Sequence, residues 1–196
     1  MSSEEWGISH LECTLVHRTF IAVTVDPNPA IRCVLSALQA MGRPIKAVAP
    51  ENLHITLRFL GATDEALFAD VLDATRLSSF GVEPFAFRLV GVGTFPNLRR
   101  PSVVWVGTDS DKPLQRIVEK LNPRIDEMGF PPVTRPWSSH LTLARVKARS
   151  PRDLEAFLND HRSVDFGACR ISEIDLRSSV LTSAGPRYDT IGSVAL

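Results

Sequence analysis

Two stretches of this chain, "LHITLRFLG" (53–61) and "SHLTLARV" (139–146), alternate apolar and polar residues around a His-x-Thr pattern. Successive side chains of a strand point to opposite sides, so alternation at period two marks a strand with one face in a core. In the first stretch Ile55, Leu57 and Phe59 take one side and His54, Thr56 and Arg58 the other. A merely solvated face favours Lys or Glu, whereas both stretches carry His and Thr, at His54/Thr56 and His140/Thr142. The two histidines are 86 residues apart in a chain of 196, which points to two related halves rather than a short-period repeat.

The flanking segments support that division. Residues 18–26 are rich in β-branched residues and end at the turn signal "DPNP", so they predict a strand. Residues 30–42 place Ile31, Val34, Leu35 and Leu38 at helical spacing and stop at Gly42. The first motif strand is expected to close at Gly61, and a helix over 63–79 to start from Thr63 or Asp64. In the second half, strands are predicted over 85–96 and 102–109, joined by the basic turn "NLRRP". A helix runs from Asp111 to about Met128, with Pro113 in its first turn, Gly129 after its end, and a kink or early stop expected at Pro123. After the second motif strand, Ser150, Pro151 and Asp153 open another helix. "ACRISEIDLRSSVL" and "RYDTIGSVAL" close the chain as an antiparallel pair around "TSAGP". Residues 1–16, polar and aperiodic, read as a mobile extension ahead of a single bilobal domain over 17–196. The fold class expected is α+β: two pseudo-symmetric lobes of antiparallel sheet with outer helices, and a cleft between them holding both His-x-Thr strands.

Composition narrows the function. Lys plus Arg balances Asp plus Glu at 22 each, which argues against coating long nucleic acid through phosphate neutralisation but leaves room for a small basic pocket. No apolar run approaches the roughly 18–20 residues of a membrane span, and the N-terminus is acidic where a signal peptide is basic. Cys13, Cys33 and Cys169 form no Cys-x-x-Cys pair, so reduced cysteines in a cytoplasmic protein are expected, with no membrane partner. His10, His17 and His161 lie away from both motifs, which leaves no third ligand for a metal; neither metal nor cofactor is expected.

If the polar faces of the two motif strands meet, two imidazoles and two hydroxyls line one cleft. That set suits in-line displacement at phosphorus: a neutral imidazole takes a proton from water, a protonated one gives a proton to the leaving oxygen, and threonine hydroxyls donate to nonbridging oxygens. The residues themselves do not say which histidine has which role.

With its flanks "RTFIAV", "PENLHITLRFLG", "GTFP…RPSVVWVG", "RPWSSHLTLAR" and "LRSSVLTSAGPRYDTI", the chain resembles the 2H phosphoesterase superfamily. More narrowly it resembles the RNA 2′,3′-cyclic phosphodiesterases, also called 2′-5′ RNA ligases. The resemblance implies hydrolysis of a 2′,3′-cyclic phosphate on an RNA 3′ end or a nucleotide to a 2′-phosphate, reversible as 2′-5′ ligation. It assigns His54 as proton donor and His140 as proton acceptor, and makes Thr56 and Thr142 phosphate contacts. It also points to Arg145 as a phosphate ligand, although strict alternation puts Arg145 with the buried Leu141 and Leu143 unless the strand bulges near Ala144. Arg58 shares parity with His54 and is a second candidate. Phe95 and Trp137 are candidates for stacking a terminal base, and Arg99 and Arg100 for a solvated or RNA-backbone contact. The chain is expected to act as a monomer. The alternatives are a nucleotide-binding sensor or adaptor of the same fold and an enzyme acting on a small cyclic nucleotide.

Overall fold

The structure, a computed structural model, describes residues 16–147, 151–182 and 185–196. The expected extension, apart from Val16, and Ser150 therefore lie outside the described residues, as does part of the "TSAGP" turn. In chain order the elements are β1 (Val16–Thr24), α1 (Pro29–Ala40), β2 (Ile45–Ala47), β3 (His54–Asp64) and α2 (Phe68–Ser79). They continue with β4 (Phe85–Phe95), β5 (Val103–Thr108), α3 (Lys112–Glu127), β6 (Leu141–Val146), α4 (Arg152–Asp160), β7 (Asp165–Ile171), β8 (Glu173–Thr182) and β9 (Gly185–Ala195).

Local chemistry explains most boundaries. The Asn28 side-chain oxygen accepts from the Ile31 N–H (3.0 Å) and Pro29 occupies the first turn of α1, whose Ile31, Val34, Leu35 and Leu38 are buried. Asp64 caps a short turn, accepting from the Ala66 N–H at 2.9 Å, before α2 begins. Pro123 neither stops nor splits α3, which continues to Glu127. The buried stripe of Leu114, Ile117, Val118, Leu121 and Ile125 extends beyond the proline, and burying Ile125 offsets the one missing helical hydrogen bond.

The strands form two antiparallel sheets, ordered β3-β1-β8-β9 and β2-β6-β5-β4-β7. Helices α2 and α3 pack along the first sheet, and α1 packs against β2, β6 and β7 of the second. Ile21, Ile55 and Leu176 of the first sheet and Val104, Val106 and Leu141 of the second are buried in the core. The opposite faces hold the polar residues of the motifs, and β3 and β6 are neighbours in space.

Three details of the strands differ from the sequence expectation. Gly61 does not end its strand: with φ +80° it sits beside an irregularity in the β1–β3 ladder, and β3 continues to Asp64. The three-residue β2 was not expected; it gains its structure by pairing with β6. The segment read as one closing strand is two, because β7 joins β4 in the second sheet while β8 crosses to pair with β1 and β9 in the first. No helix among the described residues is long and apolar enough to cross a membrane.

Candidate active site

The two motif strands share an irregularity. In the β1–β3 ladder Ile21 pairs with Arg58 and Ala22 with Thr56, so Leu57 is an extra residue. In the β5–β6 ladder Val104 pairs with Ala144 and Trp105 with Thr142, so Leu143 is extra. Each bulge lies three residues after its histidine, and a bulge reverses the alternation beyond it. The consequences are opposite because the arginines stand at different distances. Arg145, two positions after its bulged residue, comes out exposed while Ala144 is buried. Arg58, one position after its bulged residue, turns away and is only 3% exposed. Its guanidinium donates to the side-chain oxygens of Asn122 (3.1 Å) and Asp126 (2.6 Å) and to the Pro131 carbonyl (2.7 Å). The expectation that Arg58 faces the cleft is thus corrected: it ties β3 to α3 and to the segment after it.

His54 opens β3 and His140 immediately precedes β6; both are half-buried, as are Thr56 and Thr142. Each imidazole Nδ1 contacts the carbonyl two residues earlier, His54 that of Asn52 at 2.7 Å and His140 that of Ser138 at 2.9 Å. A carbonyl only accepts, so Nδ1 carries the hydrogen and Nε2 is left to accept or give a proton. Neither Nε2 has a hydrogen-bond partner among the described residues.

Aromatic rings hold both imidazoles from the side. His54 lies 4.9 Å from the Phe20 ring and 5.1 Å, edge-on, from that of Tyr188. His140 stands edge-on to Phe95 at 5.0 Å, and Phe95 leans on Trp105 at 5.3 Å. Phe95 is 37% exposed, so part of its ring is open to solvent. Trp137 is placed differently. Its ring packs against the core and its indole N–H donates to the Thr56 carbonyl at 2.9 Å. That bond makes the indole a brace between the segment leading to His140 and the β3 motif.

Sequence reasoning missed Arg177. It lies on β8 opposite Phe20 of β1, is 6% exposed, and its Nε and Nη1 are buried without a hydrogen-bond partner. Its guanidinium carbon sits 5.5 Å from the Tyr188 ring centroid. The buried carboxylate two residues earlier, Asp175, accepts instead from the hydroxyls of Thr24 (2.7 Å) and Ser193 (2.6 Å). Among the described residues no carboxylate forms an ion pair with Arg177, whose charge stands in the wall next to His54. Burial pushes the His54 pKa down to about 4, against the raising effect of the Asn52 carbonyl, and the positive charges of Arg177, Arg145 and His140 add to the lowering. That coupling brings residues of both sheets to one place. The other described histidines are structural: His17 pairs with Glu65 at 2.5 Å, and His161 Nδ1 bonds the Phe157 carbonyl at 2.8 Å.

Comparison with known proteins identifies the family. The family model described as LigT like Phosphoesterase matches residues 25–105 and again 106–188, one match around each histidine. An RNA 2′,3′-cyclic phosphodiesterase of Aeropyrum pernix is 40% identical over 155 residues, covering 78% of this chain and 87% of the relative. One of Methanothermobacter thermautotrophicus is 35% identical over 174 residues, covering 87% and 94%. Among solved structures, a Thermus thermophilus protein superposes with TM-score 0.74 at 30% identity, over 91% of this chain and 97% of that one. E. coli LigT complexed with 3′-AMP, at 24% identity and TM-score 0.65 over 93% and 99%, shares the fold. With two whole-motif matches spanning most of its length, this chain belongs to the LigT-like phosphoesterase family.

Proposed function

We propose that the protein is an RNA 2′,3′-cyclic phosphodiesterase that works by acid/base exchange between two imidazoles. The observation that carries this reading is the matched anchoring of His54 and His140: each is fixed at Nδ1 by a backbone carbonyl, with Nε2 unspent, one on each sheet. The relatives bearing that activity in their names support the substrate.

In the proposed reaction His140 Nε2 takes a proton from water as the water oxygen bonds to phosphorus. The bond from phosphorus to O3′ breaks, and His54 Nε2 gives its proton to O3′. The product is a 2′-phosphomonoester, with His140 protonated and His54 neutral until solvent resets both. Two imidazoles supply acid and base without a metal ion. Thr56 and Thr142 donate to nonbridging oxygens, and Arg145 and Arg177 oppose the charge that builds on the pentacoordinate phosphorus. Phe95 offers its open face to the terminal base. When a 5′-hydroxyl replaces water as the attacking group, the same steps give a 2′-5′ linkage, and their reversal cleaves it. A monomer working in the cytoplasm is part of the same proposal.

The test is to incubate the pure protein with an oligonucleotide ending in a 2′,3′-cyclic phosphate, in excess EDTA, and follow the products by ³¹P NMR. A 2′-phosphomonoester is expected, with kcat/KM lower by about 10²-fold or more in His140→Ala. A 3′-phosphate product, or full activity in His140→Ala, would overturn the mechanism.

A further inference from the structure

Beside His140 the wall of the site continues into a cavity of about 800 Å³, along the edge of β4 and under α4. We propose that this cavity is a subsite for the RNA strand 5′ of the reacting nucleotide, so that the enzyme acts on oligonucleotide ends in preference to mononucleotides. The inference rests on the cyclic phosphodiesterase reading and specifies its substrate.

Continuity with the site is direct. Phe95 touches both His140 and Trp105, and Trp105, paired with Thr142 in the β5–β6 ladder, forms part of the cavity wall. The indole lies flat across β4 because residue 93 is glycine: a Cβ there would sit 2.4 Å from the ring carbon Cζ2 of Trp105. β4 pairs with β7 only as far as Val90, so the edge from Gly93 to Phe95 carries no further strand on that side among the described residues.

The lining chemistry selects an anion. Asn97, Arg99, Asn159 and Arg162 supply its polar side chains, Trp105 supplies a ring, and no Asp or Glu lines it. The Asn97 side-chain oxygen is already used by the Arg99 and Arg100 N–H groups, both at 3.1 Å, which leaves its amide to donate. The side chains of Arg99 and Arg162 have no acidic partner among the described residues. In a chain of net charge zero, a cavity offering donors, two free guanidiniums and an aromatic ring suits a single strand, whose phosphates meet the cations and whose bases stack.

The experiment compares kcat/KM for a nucleoside 2′,3′-cyclic phosphate with that for tri- and tetranucleotides ending in the same group, in wild type and in Arg99→Ala/Arg162→Ala. Wild type is expected to prefer the oligonucleotides by about tenfold or more, as two phosphate contacts and a stacking ring imply. The double variant should lose that preference while mononucleotide turnover stays within about twofold, a control for folding as well. Losing two single-strand contacts should also flatten the slope of log kcat/KM against log salt by about 1.4 for the oligonucleotide. Equal wild-type rates on both substrates, or a double variant that falls equally on both, would overturn the subsite. Turnover of neither substrate by wild type would instead overturn the phosphodiesterase reading, and the subsite with it.

Discussion

His54 and His140 are anchored alike but sit in different fields. His54 is enclosed by Phe20 and Tyr188, and burial, with the charge of Arg177 adding to it, holds its pKa down to about 4. A donor needs the protonated form, so the role that family resemblance implies for His54 depends on substrate: a bound phosphate anion offsets the two arginines and favours the imidazolium. Two measurements follow. In a pH titration by NMR, His54 should stay neutral down to about 4 in the free protein, and Arg177→Met should raise its pKa by removing a positive neighbour. A His54 pKa unmoved in Arg177→Met would show that the guanidinium does not act on the imidazole. The sign for stability follows from linkage. The folded pKa lies below the unfolded value of about 6.5, so the unfolded chain binds this proton first. The His54 contribution is intact above about 6.5, and the fold loses it as pH falls from there to about 4.

At the scale of elements the bulges decide which arginine serves the site. Alternation in "LHITLRFLG" and "SHLTLARV" revealed both strands, their buried faces, and the side shared by each His–Thr pair. It misplaced Arg58 and left Arg145 in conflict with its neighbours. The extra residues Leu57 and Leu143 are properties of the pairing with β1 and β5, partners distant in sequence. Arg177 was illegible for a related reason. Its parity with Asp175, against Ile174 and Leu176, was visible, but not that β8 would cross to the sheet holding His54. The bracing role of Trp137 was not legible, because nothing local says that the Thr56 carbonyl takes its N–H. The bulges make a paired prediction. Arg145→Met should lower kcat/KM by about 10²-fold, as loss of a charge-stabilising contact does, with little change in Tm. Arg58→Met removes the three hydrogen bonds of a buried guanidinium, leaving a half-exposed Asp126 behind, and should cost about 2 kcal/mol, which lowers Tm by roughly 4–8 °C for a chain this size, with a smaller effect on kcat/KM. The reverse pattern, measured by thermal melts and steady-state kinetics, would contradict the placement of both residues.

Over the whole molecule, sequence repeat and spatial division do not coincide. The two family matches meet after residue 105, yet β2, β4 and the start of β5, from the first match, belong to the second sheet, and β8 and the start of β9, from the second match, complete the first sheet. Each sheet is thus built from both halves of the chain, and the cleft needs both sheets: His54, Thr56, Arg177 and Tyr188 come from one, His140, Thr142, Arg145 and Phe95 from the other. The central claim is that these two walls form a single phosphate site. Titrating inorganic phosphate while following the imidazole carbon-bound protons of His54 and His140 by NMR tests it most directly. Both resonances should move together and saturate with one Kd, and His54 should become easier to protonate as they do. If only one histidine responds, or the two report different Kd values, the walls do not share a phosphate and the two-imidazole account fails.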